Sequence, residues 1–189
     1  MLSILAGFLI GMGGIINLTL GGIPGTVFFS LGLMVIVTFK YDLFTGKAGL
    51  LTTREISVRE LVRIWFGNFI GAAGCATMIA FTPNGVALVD KAAAIVAVRN
   101  SQPAAINALL GIYCGILMYI AVSGFKRTRN YLFIVTPVAF FILCGFNHCV
   151  ADMFYTALGM QRYEDLLHLL PTTVGNIIGT NLIPLMEKK

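Results

Sequence analysis

The sequence predicts an all-α integral membrane protein of six transmembrane helices, arranged as two inverted three-helix repeats. Three observations carry that prediction. Of the 189 residues, 58% are hydrophobic and only 11% are charged, whereas a soluble domain carries roughly 25% charged residues. Six apolar segments approach the ~20 residues a helix needs to cross a bilayer, at 2–19, 24–41, 61–82, 103–123, 131–158 and 170–186. Short glycine motifs recur between the two halves, about 1–100 and 101–189, at a near-constant offset. So few charges cannot clothe a water-facing surface, and one transmembrane domain over 1–189 accounts for the length.

The first segment opens as "MLSILAGFLIGMGGI". It has no basic leader or clear cleavage site, and reads as a span rather than a signal peptide. It carries Gly7 and Gly11. The second contains Phe29 and runs into "DLFTGKAG", Asp42 to Gly49. The third carries "FGNFIG", Gly67 to Gly71 with Asn68. The long, weakly polar stretch "TPNGVALVDKAAAIVAVRNSQPA" that follows is expected to be an interfacial or re-entrant segment. The fourth span repeats the first, with Gly111 and Gly115 in "LLGIYCG". The fifth contains Phe141 and "GFNHCVADM", and the sixth repeats the third as "VGNIIG", Gly175 to Gly179 with Asn176. Cys75, Cys114, Cys144 and Cys149 all fall in apolar stretches, where cysteine serves as a small packing residue.

Orientation follows from lysine and arginine near the span ends. One side collects Lys40, Lys47, Arg54, Arg59, Arg63, Lys126, Arg127, Arg129, Lys188 and Lys189; the other collects Lys91, Arg99 and Arg162. Both termini are therefore expected in the cytoplasm. The net charge of +5 follows this topology, with basic residues at helix ends rather than on one face, so no nucleic-acid partner is expected.

Gly7 and Gly111 are 104 residues apart, and Asn68 and Asn176 are 108 apart. Three spans per half make the halves antiparallel across the membrane, a plan used by channels and transporters with sites near the midplane. Packing explains the glycines themselves, since small residues let helix backbones approach. Shifting "DLFTGKAG" by 103 residues superposes Thr45 on His148. Each half then interrupts its middle helix, and irregular backbone at that depth is tolerated only where protein or a cavity surrounds it. Thr45 and His148 are expected on opposite walls of one pathway. Asp152 lies four residues after His148 and shares its face if the segment is helical. An intramembrane acid needs a partner. Asp152 either polarises His148 or pairs with Lys47, and the sequence leaves both open.

The strings "DLFTG", "GFNHCVADMF" and "GNIIG", in this order and on these spans, resemble the formate/nitrite transporter family, from about Leu5 to Thr180. The resemblance implies an aquaporin-like protomer with interrupted second and fifth helices, assembled as a homopentamer with a path through each subunit. It implies a channel domain in a bacterial-type cytoplasmic membrane, moving formate first, or nitrite, hydrosulfide, acetate or lactate, with protons as a further partner and lipid as surroundings. Neither enzyme activity nor a cofactor or metal is implied. Thr45 matches the threonine of the family's interrupting loop, flanked by Leu43 and Phe44. His148 matches its central histidine, and Asn176 the asparagine of the sixth helix. Phe29 matches the aromatic of the cytoplasmic constriction and Phe141 that of the periplasmic one. The chain departs from the family at Asn147 (usually Glu), Asp152 (usually Asn), Arg99 (usually Lys), Gly115 (usually Asn) and Lys47 (usually Asn).

Roles follow from chemistry. Arg99 would attract anions through its field and hold a carboxylate bidentately. His148, with an unperturbed pKa near 6.5, suits donation of a hydrogen bond or a proton. Thr45 and Asn176 would orient the substrate or His148. Two other functions compete. A neutral-solute channel of the water or urea kind lacks its usual Asn-Pro-Ala pair here. A membrane subunit of a redox enzyme would want paired haem ligands, and the chain has only His148 and His168.

Overall fold

In the computed structural model, which describes residues 1–187, all regular structure is helical. The order is α1 (Leu2–Leu20), α2 (Gly22–Phe39), α3 (Phe44–Ala48), α4 (Val58–Ala80), α5 (Gly85–Ser101), α6 (Ala104–Thr128), α7 (Leu132–Leu143), α8 (Cys149–Gly159) and α9 (Leu169–Glu187). Short 3₁₀ turns at Gly49–Leu51 and Tyr163–Leu166 lead out of α3 and into α9. Five helical segments are long and apolar enough to cross a membrane: α1, α2, α4, α6 and the stretch ending in α9. The expected fifth span divides into α7 and α8, each shorter than a bilayer is thick. Lys188 and Lys189, counted above for orientation, lie outside the described residues.

The glycine motifs are packing seams, as the sequence indicates. α1 crosses α4, and α6 crosses α9. A Cβ on Gly7 would collide with Asn68 O and one on Gly71 with Ile4 O; on the other seam Gly175 and Gly179 stand equally close to Ala108 O and Ile112 O. Backbones this close gain dispersion contacts along the whole seam, which drives association where lipid removes the hydrophobic incentive. α2 packs on α1 and α7 on α6, and α2 and α7 meet.

The stretch expected to be an interfacial or re-entrant segment contains the regular helix α5, packed on α8. Its "KAAAIVAV" core is rich in good helix formers, and its small side chains let α8 approach until Gly159 touches Ala92 and Ala93. Lys91 on this helix donates to Leu18 O at 2.6 Å, tying α5 to the end of α1.

Candidate functional site

Both middle helices break, and they break in the same way. α2 ends at Lys40 with φ 59°, and α7 is followed by Gly145 with φ 68°. The next amide reaches back across five residues in each case, Tyr41 N to Ile36 O and Phe146 N to Phe141 O, both 2.9 Å. These are the closing bonds of a left-handed helix C-cap. Three residues later, Leu43 and His148 stand in extended conformation as the N-caps of α3 and α8. Their carbonyls accept from Lys47 N (3.0 Å) and Asp152 N (2.8 Å).

Broken backbone inside a membrane must find partners from protein, and one asparagine supplies them in each half. Asn68 Oδ1 accepts from Phe44 N at 2.8 Å, while its Nδ2 donates to Ser3 O (2.7 Å) and Asp42 O (2.9 Å). Asn176 Oδ1 accepts from Cys149 N at 2.8 Å, while its Nδ2 donates to Gly111 O (2.8 Å) and Asn147 O (2.9 Å). The two sets match atom for atom. An amide is the side chain for this task, offering two donors and an acceptor on one rigid plane. Asn176 therefore fixes the backbone on either side of His148, through Asn147 O and Cys149 N, and ties it to Gly111 on α6. Asn68 was noticed in the sequence only as part of a glycine repeat, and its match to Asn176 was the available signal.

These bonds set the register between the two breaks at 105 residues, Phe44 to Cys149 and Asp42 to Asn147. The 103-residue shift expected from sequence is two residues out. In this register the counterpart of His148 is Leu43 rather than Thr45. Thr45 Oγ1 and His148 Nε2 nonetheless meet, hydrogen-bonded at 3.0 Å, both buried. His148 Nδ1 accepts from Ala151 N at 3.1 Å, capping α8. A nitrogen that accepts carries no proton, so in this arrangement the ring is neutral with its proton on Nε2, pointing at Thr45.

The aromatic residues form one cluster. Phe29 and Phe141, expected on opposite sides of the histidine, meet edge to face with centroids 6.0 Å apart. Phe141 also stacks on the His148 ring at 5.5 Å and 20°. The correction follows from α2 and α7 packing together, which brings both rings to one level. On the other side, Leu33, Ile36 and Leu43 line a cavity of about 330 Å³ whose rim carries Lys40, Lys47, Lys126 and Arg129. An adjoining cavity of about 150 Å³ shares Gly46, Val122 and Lys126 with it and reaches Thr45. In an apolar helix nothing in the sequence marks cavity-lining residues such as Leu33 and Ile36 from packing ones.

A third cavity, about 390 Å³, reaches Phe141 and His148 from the side of Arg99, Asn17 and Tyr155. Arg99, at the end of α5, places Nε 3.4 Å from Asp152 Oδ1 and donates from Nη1 to Gly145 O at 3.1 Å. Lys47 pairs with Asp42 at 3.2 Å. Neither partner weighed for Asp152 in the sequence is thus the one it has: the ion pair is with Arg99, and both nitrogens of His148 are engaged elsewhere. Asn147 is buried and donates to Asn107 Oδ1 at 2.8 Å. Phe44 is buried and contributes its backbone amide to the Asn68 anchor.

The family model described as formate/nitrite transporter matches residues 1–186. The formate channel FocA of Haemophilus influenzae is 29% identical over 82% of this chain and 69% of its own. That of Escherichia coli K12 is 25% identical over 84% and 70%. Among solved structures, a pentameric formate channel with formate bound superposes with a TM-score of 0.80 at 25% identity, covering 98% of this chain and 92% of the other.

Proposed function

Because the chain belongs to the formate/nitrite transporter family, whose members are channels and transporters rather than enzymes, we propose that it conducts a small monovalent weak-acid anion. Formate comes first, as in the formate channels it is similar to; nitrite, hydrosulfide, acetate and lactate belong to the same chemical class. The protein is an integral membrane protein. A bacterial-type cytoplasmic membrane, with both termini inside, fits the basic excess around the Lys40, Lys126 and Arg129 mouth. The matched anchors of Asn68 and Asn176 support six spanning segments in two inverted three-helix repeats. The pentameric relative supports a homopentamer. Exposed Phe28, Phe66, Ile70 and Leu170 supply apolar surface for neighbours and lipid.

The observation that carries the reading is the Thr45–His148 hydrogen bond, approached by cavities from both sides. Moving a bare carboxylate-sized ion into a low dielectric costs on the order of 20 kcal/mol in the idealised limit. Protonating a carboxylate of pKa near 4 at neutral pH costs only about 4 kcal/mol, at 1.36 kcal/mol per unit. A pathway that lets the anion cross its apolar waist neutral, or sharing a proton, follows the cheaper course. Phe29 and Phe141 exclude hydrated ions on one side, and Leu33 and Leu43 on the other. Between them the Nε2–H of His148 is the donor an anion meets once it displaces Thr45, and Thr45 holds that donor in place until then. Arg99 marks the outer approach.

Flux into proteoliposomes tests this directly. Formate, nitrite, hydrosulfide, acetate and lactate are expected to enter, at rates rising as pH falls toward each acid's own pKa, while urea and water do not. Urea or water permeation independent of pH, with no anion flux, would establish the neutral-solute alternative instead.

A further inference from the structure

The Arg99–Asp152 pair has unused capacity on both partners. Arg99 is 12% and Asp152 2% exposed at the side chain. Nε and one hydrogen of Nη1 are engaged by Asp152 Oδ1 and Gly145 O. The rest of the guanidinium edge has no acceptor among the described residues. Asp152 Oδ2 is buried and has no hydrogen-bond partner there either. A buried, unpaired carboxylate oxygen demands an explanation. Both residues line the 390 Å³ cavity that leads to His148. Free donors beside a free acceptor fit a group that both accepts and donates, which is what a carboxylic acid does and its anion does not.

We infer that Asp152 is the proton donor to an anion held on Arg99. The inference rests on the transport reading above and deepens it. In the loaded state Asp152 is protonated on Oδ2, and the anion sits on the open guanidinium edge. The O–H bond of Asp152 breaks as that of the acid forms. The carboxylate left on Asp152 then takes over the ion pair with Arg99, which is the arrangement in the structure. Charge is the same before and after: a cation and one anion, with only the identity of the anion exchanged. The neutral acid leaves toward Phe141 without stripping Arg99 of its counter-ion. Asp152 regains a proton from water at the mouth. In reverse, a neutral acid arriving from the other side returns its proton to the Asp152 carboxylate, and the anion so formed leaves from Arg99.

An arginine alone would be a trap, since a bound anion would have to abandon it to enter the constriction. A lone acid would repel the anion it must protonate. The groups that face Asp152 electrostatically are Arg99 on α5, Cys114 on α6, His168 just before α9, and Cys149 and Tyr155 on α8 itself. His148, one turn earlier, spends its nitrogens on Ala151 and Thr45. Of α1, α3 and α4, which also pack on α8, α1 carries no titratable side chain, α3 only Lys47, and α4 Cys75 besides Arg59, Glu60 and Arg63 in its first turns. Lys47 is taken by Asp42.

The test is formate flux against concentration and pH in proteoliposomes carrying the full chain. Asp152→Asn keeps the shape but neither carries the proton nor neutralises Arg99. The KM for formate is expected to fall about tenfold as the guanidinium loses its internal competitor. Maximal flux falls at least about tenfold with it, and its dependence on pH flattens. A variant with wild-type KM and a pH profile of wild-type shape overturns the inference, whatever its absolute rate. Asp152→Glu covers the case in which the asparagine variant does not fold. It keeps the acid but moves it by one methylene, so its pH midpoint is expected to shift, and a superimposable profile overturns the inference equally. Wild-type protein without formate flux overturns the transport reading and this one together, whereas wild-type flux with an indifferent Asp152→Asn removes only this one.

Discussion

Replacing Asn176 with leucine is expected to destabilise the protein by roughly 3–9 kcal/mol, at about 1–3 kcal/mol for each of three contacts, and to abolish transport. The side chain is fully buried and meets three backbone groups, Cys149 N, Gly111 O and Asn147 O, at 2.8–2.9 Å. Leucine is close in volume and offers none of the three partners. Each buried backbone group left unsatisfied costs about 1–3 kcal/mol, and the core of a bilayer offers no water to relieve it. For a domain of this size that loss lowers Tm by roughly 6–36 °C, at 2–4 °C per kcal/mol. Transport fails for a separate reason. Asn147 and Cys149 bracket His148, so releasing them frees the ring from its place above Phe141 and beside Thr45. Thermal unfolding in detergent and formate flux in proteoliposomes check the two effects. A leucine variant melting within 2 °C of wild type would mean the break holds itself together without its anchor. Asn68→Leu is expected to cost a similar amount in the other half, where the same three contacts fasten Phe44, Ser3 and Asp42.

The near identity of those two anchors explains why the halves could be aligned from sequence, and where the alignment drifts. Gly-Asn pairs recur because only glycine admits the facing helix and only an amide serves both ends of a broken backbone. Those demands are local, so they leave a pattern in the letters. The positions between the anchors have no such demand. Leu43 and His148 occupy the same N-cap geometry yet share no chemistry, and a comparison of residue types slid by two to match Thr45 with His148. The two breaks share backbone geometry and differ in side chains: Leu43 lines an apolar cavity, and His148 is a hydrogen-bonding imidazole.

Partners were less legible than elements, for a physical reason. Periodicity and hydropathy report what surrounds a residue on average, and they marked the spans, the seams and the middle breaks. They do not report which distant helix supplies a counter-ion. Asp152 was bound to need one, yet Arg99 lies on α5, whose apolar run is too short and too mixed to announce a helix packed on α8. Phe29 likewise carries no mark that its neighbour would be Phe141. That contact depends on α2 and α7 meeting, which no single segment encodes.

His148→Asn should separate the two tasks the histidine performs. Nδ1 caps α8 by accepting from Ala151 N, and Nε2 faces Thr45 in the waist. Asparagine is among the best N-cap residues, and its short side chain still places an oxygen over the first turn, so α8 keeps its start. It cannot reach Thr45, and it leaves no ring to stack on Phe141. The variant is therefore expected to fold with near wild-type stability and to lose formate flux by about a hundredfold or more, the scale set by removing a positioned proton or hydrogen-bond donor. His148→Ala removes the cap as well and is expected to lose a further 0.5–2 kcal/mol of stability, roughly the worth of an N-cap, with no greater loss of flux per folded molecule. Both variants are read by the same pair of measurements, melting temperature and proteoliposome flux normalised to protein incorporated. Should His148→Asn conduct formate at the wild-type rate, the imidazole would be a helix cap that happens to lie in the waist. The barrier would then be set by Phe29, Phe141, Leu33 and Leu43 alone, and neutralisation would have to be completed before the acid reaches them.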